Sequence, residues 1–232
     1  MPQKWMIETV PALVLGEDCD RVFLFVHGKH GCKEEASAFA ELVCPRGWQV
    51  LSIDLPEHGE RQNRTDGVSL VPWEAVPELR AVMAQARARW KEVSLYAVSI
   101  GAWLSLLAFP DTPPVRSLFV SPVLDMNALI KTMMGWAQVT EEQLQQEGCI
   151  PTSFGETLSW KYACFARKHP ISSWSSPTEI LYGSADALTS RQTVASFVRR
   201  FGCGLTVLEG GEHWFHTPEQ LAFLRAWETR VL

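Results

Sequence analysis

Three residues that lie far apart in the sequence could together perform nucleophilic catalysis: Ser99, Asp186 and His213. A serine hydroxyl becomes an effective nucleophile when an imidazole takes its proton, and a carboxylate can orient that imidazole and stabilise its charged form. Each of the three residues follows a short apolar run that is typical of a strand. Their order along the chain, serine then acid then histidine, differs from the orders found in chymotrypsin-like and subtilisin-like proteins.

The serine lies in the segment EVSLYAVSIGAWLSLL, residues 92–107, around which the rest of the chain is organised. The β-prone run before the serine predicts a strand, and the small, apolar residues after it predict a helix over 100–109. Ala97, Ser99 and Gly101 form an Ala-x-Ser-x-Gly pattern, a variant of the nucleophile elbow with alanine in place of the usual first glycine. The pattern alone also fits a buried serine at an ordinary strand-to-helix junction.

The base and the acid have rivals in the sequence. Asp186 and His213 each follow a predicted strand, where the carboxyl ends of parallel strands gather functional loops. His213 could instead be a solvent-exposed loop histidine, and His216 is a nearby competitor that lies closer to the last predicted helix. Asp186 could instead cap a helix, and Asp125 is a rival acid after the preceding predicted strand. We favour Asp186 and His213.

The elements that would position these residues alternate along the chain. Loosely alternating residues 6–15 predict one or two edge strands, and a polar loop is predicted at 56–67. The other predicted strands are residues 21–26, 48–55, 93–98, 115–120, 179–182 and 205–208. The other predicted helices are residues 33–43, 73–90, 190–201 and 218–231. This alternation predicts right-handed crossovers and an α/β fold with a doubly wound, mostly parallel sheet.

The alternation stops between residues 123 and 176. This region predicts two or three helices and contains no convincing strand. A segment of this length is too short to bury a sizeable core of its own, which favours a helical lid over a second domain. We therefore predict one domain, residues 1–232, with residues 123–176 as a lid insertion.

These motifs together resemble the α/β-hydrolase superfamily over nearly the whole chain, and in particular its small, single-domain serine esterases. The resemblance rests on the loop at His27-Gly28, the segment DLPEHG at residues 54–59, the serine elbow, and the GSAD and GGEH loops. It implies an oxyanion hole made by the backbone N–H groups of Lys29 and Ile100. His27 and His58 are interpreted as structural turn residues.

The resemblance further implies a serine hydrolase that cleaves a small carboxylic ester or thioester through an acyl-Ser99 intermediate, with no metal or organic cofactor. Carbon–carbon bond hydrolases, lyases, peptidases and cofactor-free haloperoxidases share the same resemblance and remain alternatives. Haloalkane dehalogenation is disfavoured, because an aspartate would stand in place of Ser99. A protein that keeps the fold and only binds a ligand is the remaining alternative.

Several side chains near the predicted site could contact a substrate. Four tryptophans are candidates for lining an acyl pocket, although a tryptophan is more often part of a core: Trp103, Trp136, Trp160 and Trp214. Lys29 and His30 could favour an anionic substrate group, or could simply face water.

Composition narrows the class of protein. The 232 residues, 47% of them apolar, suit one ordinary globular domain, and a net charge of −5 makes a nucleic acid an unsuitable partner. No apolar stretch is long enough to span a bilayer, and we expect a cytoplasmic protein that acts on a small molecule. The six cysteines show no CxxC pair and no Cys/His metal spacing, which favours free thiols and no metal site. The sequence does not indicate the oligomeric state.

Overall fold

The computed structural model describes residues 2–62 and 70–232, so part of the polar loop predicted at 56–67 lies outside the described residues. The strands are β1 (Gln3–Ile7), β2 (Val10–Leu15), β3 (Arg21–Val26), β4 (Gln49–Ile53), β5 (Glu92–Val98), β6 (Ser117–Val120), β7 (Cys149–Pro151), β8 (Thr157–Ser159), β9 (Thr178–Gly183) and β10 (Gly204–Leu208). The α-helices are α1 (Ala36–Val43), α2 (Pro72–Arg89), α3 (Ile100–Ala108), α4 (Met126–Ala137), α5 (Glu141–Glu147), α6 (Trp160–Lys168), α7 (Arg191–Phe201) and α8 (Pro218–Val231). Short 3₁₀ turns occupy Lys33–Glu35, Cys44–Arg46 and Gly59–Arg61.

In the described part of the chain, eight strands form the central sheet, in the spatial order β1-β2-β4-β3-β5-β6-β9-β10. β2 pairs antiparallel with both β1 and β4, and every other neighbouring pair in this sheet is parallel. The strand order moves outward in both directions from β3, as expected when crossover helices cover both faces. The predicted α/β fold with a mostly parallel, doubly wound sheet is confirmed.

The inner strands of the sheet are buried on both faces, and consecutive side chains of each strand point to opposite sides. In β3, Val22, Leu24 and Val26 belong to one buried apolar cluster, whereas Phe23 and Phe25 belong to a second cluster. The continuous apolar run RVFLFV therefore supplies two separate hydrophobic layers. Strands of this kind place the loops at their carboxyl ends in a rigid frame, and those loops carry the candidate site.

The insertion between β6 and β9 differs in one respect from the sequence-based expectation. It contains helices α4 to α6, but it also contains β7 and β8, which pair antiparallel as a separate two-stranded sheet. The prediction that residues 123–176 contain no strand is therefore wrong. Strands of three residues are too short to display the alternation on which a sequence-based prediction depends.

The insertion packs on the main body of the protein. Leu129 of α4, Leu144 of α5 and Leu158 of β8 are buried in the same apolar cluster as Leu24 and Val26 of the central sheet. These side chains therefore extend the main core over the carboxyl ends of the strands. Among the described residues, no helix has the length and apolar character needed to cross a membrane. The six cysteines are free thiols.

Candidate active site

Ser99 occupies the corner between β5 and α3 in a strained backbone conformation, with φ 51° and ψ −121°. A conformation of this kind costs about 1–3 kcal/mol and persists only where the surroundings hold it. The Ser99 N–H donates to the carbonyl of Val120 at 3.1 Å, and the Ser99 carbonyl accepts from the N–H groups of Ala102 at 3.1 Å and Val123 at 3.0 Å. These hydrogen bonds fix the serine at the carboxyl edge of the sheet.

Small residues around the serine are required by close backbone contacts. A Cβ atom on Gly101 would lie 2.5 Å from the carbonyl oxygen of His27 and 2.7 Å from that of Val26. A Cβ atom on Gly28 would lie 3.2 Å from the Cβ atom of Ser99. The corner therefore presses against the loop that follows β3, and this contact explains the small residue two positions after the serine.

Ser99, His213 and Asp186 form a hydrogen-bonded triad. The Ser99 Oγ lies 2.8 Å from His213 Nε2, and His213 Nδ1 lies 2.7 Å from Asp186 Oδ2. The Asp186 side chain is fully buried and that of His213 is 17% exposed. Asp186 Oδ1 accepts from the N–H groups of Leu188 at 2.7 Å and Thr189 at 3.0 Å. An imidazole held in this way can accept the proton of the serine hydroxyl while the carboxylate stabilises the resulting positive charge.

The rival acid and base occupy other positions. Asp125 Oδ1 accepts from the Ala128 N–H at 3.0 Å and caps the first turn of α4. His216 Nδ1 lies 2.9 Å from the carbonyl of Trp214, in an exposed loop. Within residues 2–62 and 70–232, neither side chain forms a hydrogen bond with the triad.

The backbone N–H groups of Lys29 and Ile100, the predicted oxyanion-hole donors, belong to residues that line the same cavity as Ser99. Ile100 is the first residue of α3, where backbone N–H groups have no partner within the helix. In the described part of the chain, neither N–H donates to another protein atom. The absence of a protein acceptor for these two N–H groups among the described residues is what a pair of oxyanion donors requires.

Two buried histidines shape the loop that carries Lys29. His27 Nε2 accepts from the Leu55 N–H at 3.0 Å, so its proton is on Nδ1, which donates to the Gly28 carbonyl at 2.7 Å. Burial lowers the pKa of His27 to about 4, which keeps the ring neutral. His58 Nε2 accepts from the His30 N–H at 2.9 Å, and burial lowers its pKa as well. Both rings therefore bind backbone groups of the surrounding loops, as expected for structural turn residues.

A buried ion pair beneath this loop was not singled out from the sequence. Lys33 Nζ lies 2.7 Å from Asp54 Oδ2, and the two side chains are 1% and 0% exposed. Asp54 also accepts from the backbone N–H groups of Lys33 at 2.8 Å and Glu60 at 3.0 Å. Burial by itself would raise the pKa of Asp54, but these hydrogen bonds hold it below its ordinary value. The DLPEHG motif contains the acid, but no local signal pointed to Lys33.

A cavity of about 370 Å³ opens beside the Ser99 hydroxyl, between the sheet edge and the insertion. Its lining is largely apolar. The apolar and aromatic lining residues are Leu70, Ile100, Val123, Met126, Leu129, Ile130, Met133, Trp136, Phe154, Leu158, Tyr162 and Leu188. A cavity of this size and character suits a small apolar group.

The predicted tryptophans are distributed differently from the expectation. Trp136 lines the cavity. Trp103 is buried behind the lining and stacks on Tyr162, with ring centroids 6.0 Å apart. The Arg167 Cζ atom lies 5.7 Å from the ring centroid of Trp160. Trp214 is 75% exposed. The structure therefore brings one of the four tryptophans to the cavity beside Ser99, because the insertion and not the elbow helix supplies most of the lining.

Lys29 and Glu156 form an ion pair in the cavity lining. Their side chains are 27% and 25% exposed. His30 Nε2 lies 3.9 Å from the same carboxylate, and its side chain is largely exposed. Lys29 thus contacts the β7–β8 turn of the insertion and does not simply face water. Glu156 was not singled out from the sequence, because its partner is 127 positions away.

Among the residues the structure describes, no group of three or more His, Cys, Asp or Glu side chains is arranged to hold a metal ion.

Comparison with solved structures shows similar folds at low sequence identity. Est1E from Butyrivibrio proteoclasticus with bound ferulic acid has a TM-score of 0.76 at 16% identity, covering 99% of this chain and 97% of that chain. Mouse alpha/beta hydrolase domain-containing protein 10 has a TM-score of 0.76 at 13% identity, covering 100% of this chain and 98% of that chain. The Pyrococcus furiosus esterase Pf2001 has a TM-score of 0.68 at 17% identity, covering 100% and 87%.

Comparison with sequences gives two results. No curated protein matches the chain significantly. The model of the alpha/beta hydrolase family, in contrast, matches residues 23–227, which run from β3 to the last helix and include the whole triad. This chain therefore belongs to the alpha/beta hydrolase family.

Proposed function

We propose that the protein is a serine hydrolase that cleaves a small carboxylic ester or thioester through an acyl-Ser99 intermediate. The observation that carries the proposal is the triad at a strained elbow: the Ser99 Oγ is 2.8 Å from His213 Nε2, and His213 Nδ1 is 2.7 Å from a buried Asp186. Strain of this kind is found where a side chain must be presented at a reactive site. A ligand-binding protein would gain nothing from such an arrangement.

In the first half of the reaction, Ser99 Oγ attacks the substrate carbonyl while His213 Nε2 takes the hydroxyl proton. Asp186 stabilises the imidazolium that forms, and the N–H groups of Lys29 and Ile100 bind the oxyanion. Loss of one oxyanion donor costs about 100- to 1000-fold in kcat in comparable sites. The tetrahedral intermediate then breaks its bond to the alcohol or thiol, which leaves with the proton held by His213.

In the second half, a water molecule attacks the acyl-Ser99 carbonyl and gives its proton to His213. The bond to Ser99 Oγ breaks, the serine recovers its proton from His213, and the carboxylic acid is released. The His213 side chain is 17% exposed, which gives water access to the base. The triad supplies both the nucleophile and the proton transfers, so each bond change has a residue to perform it.

The cavity supports an apolar acyl group. Its volume of about 370 Å³ and its mainly aliphatic and aromatic lining favour a short hydrocarbon or small aromatic acyl chain. Two proteins of similar fold are consistent with this substrate class. Pf2001 is named an esterase, and Est1E holds ferulic acid, an aromatic carboxylic acid. At 17% and 16% identity these two proteins support the chemical class and not a particular substrate.

Labelling by a small neutral fluorophosphonate tests the proposal directly. The wild type should be labelled, Ser99→Ala should not, and His213→Ala should be labelled far more slowly. Ser173→Ala, at an exposed serine, is the matched control and should be labelled like the wild type. An active wild type is then assayed on matched oxyesters and thioesters of increasing chain length. A folded wild type that resists labelling and cleaves none of these substrates would overturn the proposal.

A further inference from the structure

The described lining of the cavity beside Ser99 is mainly apolar and includes one pair of opposite charges. The pair consists of the basic side chain of Lys29 and the acidic side chain of Glu156, which contact each other. About a quarter of each side chain is exposed, 27% and 25% respectively. Charges that are partly shielded from water interact more strongly than charges on an open surface. The net charge of this region therefore depends on both partners being present.

The two partners come from different parts of the fold. Lys29 follows β3, and its backbone N–H is one of the proposed oxyanion donors. Glu156 lies in the turn between β7 and β8, where its backbone is fixed by Thr152: the Glu156 carbonyl accepts from the Thr152 N–H at 2.8 Å and from Oγ1 at 2.7 Å. The Glu156 N–H also donates to Thr152 Oγ1 at 3.2 Å. These bonds hold the Glu156 backbone on the insertion side, and the carboxylate contacts Lys29.

We propose that Glu156 sets the charge selectivity of the acyl cavity: it cancels the charge of Lys29, so that the site accepts neutral acyl groups and rejects acyl groups that carry a carboxylate. This inference rests on the proposed function. In the wild type, an anionic acyl group would lose its hydration in an apolar cavity and would meet the carboxylate of Glu156. No unpaired cation of the described lining would compensate these two costs.

Replacing Glu156 by glutamine reverses this balance. The amide has nearly the same size as the carboxylate, so the cavity keeps its shape, but the ammonium group of Lys29 loses its counter-charge. The terminal carboxylate of an acyl group bound in the cavity can then pair with the ammonium group of Lys29. One added hydrogen bond to a charged group corresponds to about 10- to 100-fold in affinity. Glu156→Gln should therefore shift selectivity toward the anionic substrate by about this factor.

The test compares kcat/KM for 4-nitrophenyl butanoate and the 4-nitrophenyl half-ester of succinate, which carries one carboxylate. Glu156→Gln should raise the anionic-to-neutral ratio about 10- to 100-fold, and Lys29→Met should lower it. The double variant should return close to the wild-type ratio, because both charges are gone. Glu142→Gln removes an exposed carboxylate of the same insertion and should leave the ratio unchanged. A merely structural role of Glu156 would lower both rates together without changing their ratio.

A binding experiment separates this inference from the proposed function. In a Ser99→Ala background, butanamide and succinamate are titrated and followed by NMR, which needs no catalysis. Glu156→Gln should strengthen succinamate relative to butanamide. Ester cleavage with an unchanged ratio, or an unchanged binding preference in the Ser99→Ala background, overturns the charge-selectivity proposal. A binding preference that shifts in a protein that cleaves no ester supports the charge proposal and refutes the hydrolase proposal.

Discussion

Replacing Asp186 by asparagine keeps the size of the side chain but turns one carboxylate oxygen into an NH₂ group. Asp186 Oδ1 accepts two backbone N–H groups, from Leu188 at 2.7 Å and Thr189 at 3.0 Å, so the amide oxygen must take this position. The NH₂ group then faces His213 Nδ1, which has to become an acceptor. The imidazole proton moves to Nε2, which lies 2.8 Å from Ser99 Oγ. In this tautomer His213 cannot accept the proton of the serine.

The size of the effect follows from the same geometry. Turning the amide the other way would break two hydrogen bonds, each worth about 0.5–1.5 kcal/mol, and would place donors against donors. The inactive tautomer is therefore favoured. The equivalent exchange in a serine protease triad lowers kcat by about 10⁴-fold, which corresponds to about 5.4 kcal/mol in the activation free energy. We expect a loss of similar size in Asp186→Asn.

The assay measures kcat on 4-nitrophenyl butanoate, together with the thermal midpoint of unfolding as a check on folding. Asp125→Asn is the matched control, because the side-chain oxygen of asparagine can still accept from the Ala128 N–H and cap α4. This control should keep nearly the full wild-type rate. If Asp186→Asn kept more than about a hundredth of the rate, or if Asp125→Asn lost as much, the assignment of Asp186 as the acid would be refuted.

Two further predictions concern stability. Gly101→Ala should lower the free energy of unfolding by about 1–3 kcal/mol in a urea titration, because the new Cβ would lie 2.5 Å from the His27 carbonyl; an unchanged midpoint would contradict this. Asp54→Asn should cost about 3 kcal/mol, since it leaves Lys33 buried with two half-exposed glutamates as remaining partners. Because the folded pKa of Asp54 lies below its unfolded value, its contribution is complete above the unfolded pKa and disappears as the pH falls through the folded pKa. Acid should therefore destabilise the wild type more steeply than Asp54→Asn, and parallel pH profiles would contradict this.

Much of the central sheet could be predicted from local sequence because its inner strands are buried on both faces. A short, nearly continuous apolar run such as RVFLFV indicates a strand of this kind. The structure has β3 over the predicted residues, Arg21–Val26. The last helix is also found over the predicted residues, Pro218–Val231, and it begins with a capping box at Thr217. The residues of the triad could be singled out because each lies within about five residues of the end of a β-prone run, β5, β9 or β10. Their catalytic roles stay predictions.

The rest of the site depends on contacts that no local pattern records. β7 and β8 have three residues each, and their pairing is visible only when the turn between them is folded. Glu156 and Lys29 are in contact although they are 127 positions apart, and nothing in the sequence around either residue indicates this pairing. Trp103 and Trp214 are the same residue type, but Trp103 is 1% exposed and Trp214 is 75% exposed. The side chains that line the cavity are determined by how the insertion lies over the sheet, which is a tertiary property.

The insertion and the strained serine are connected through the backbone. The Ser99 carbonyl accepts from the N–H of Val123, the first residue of the predicted lid, at 3.0 Å, and Val123 also lines the cavity. The conformation at Ser99 costs about 1–3 kcal/mol, so it needs such bonds from outside the elbow to persist. Any rearrangement that moved the start of the insertion would reshape the acyl cavity and relax the serine at the same time. The shape of the cavity and the conformation of Ser99 are therefore coupled in this fold, and under the proposed function substitutions that repack the insertion should change kcat as well as KM.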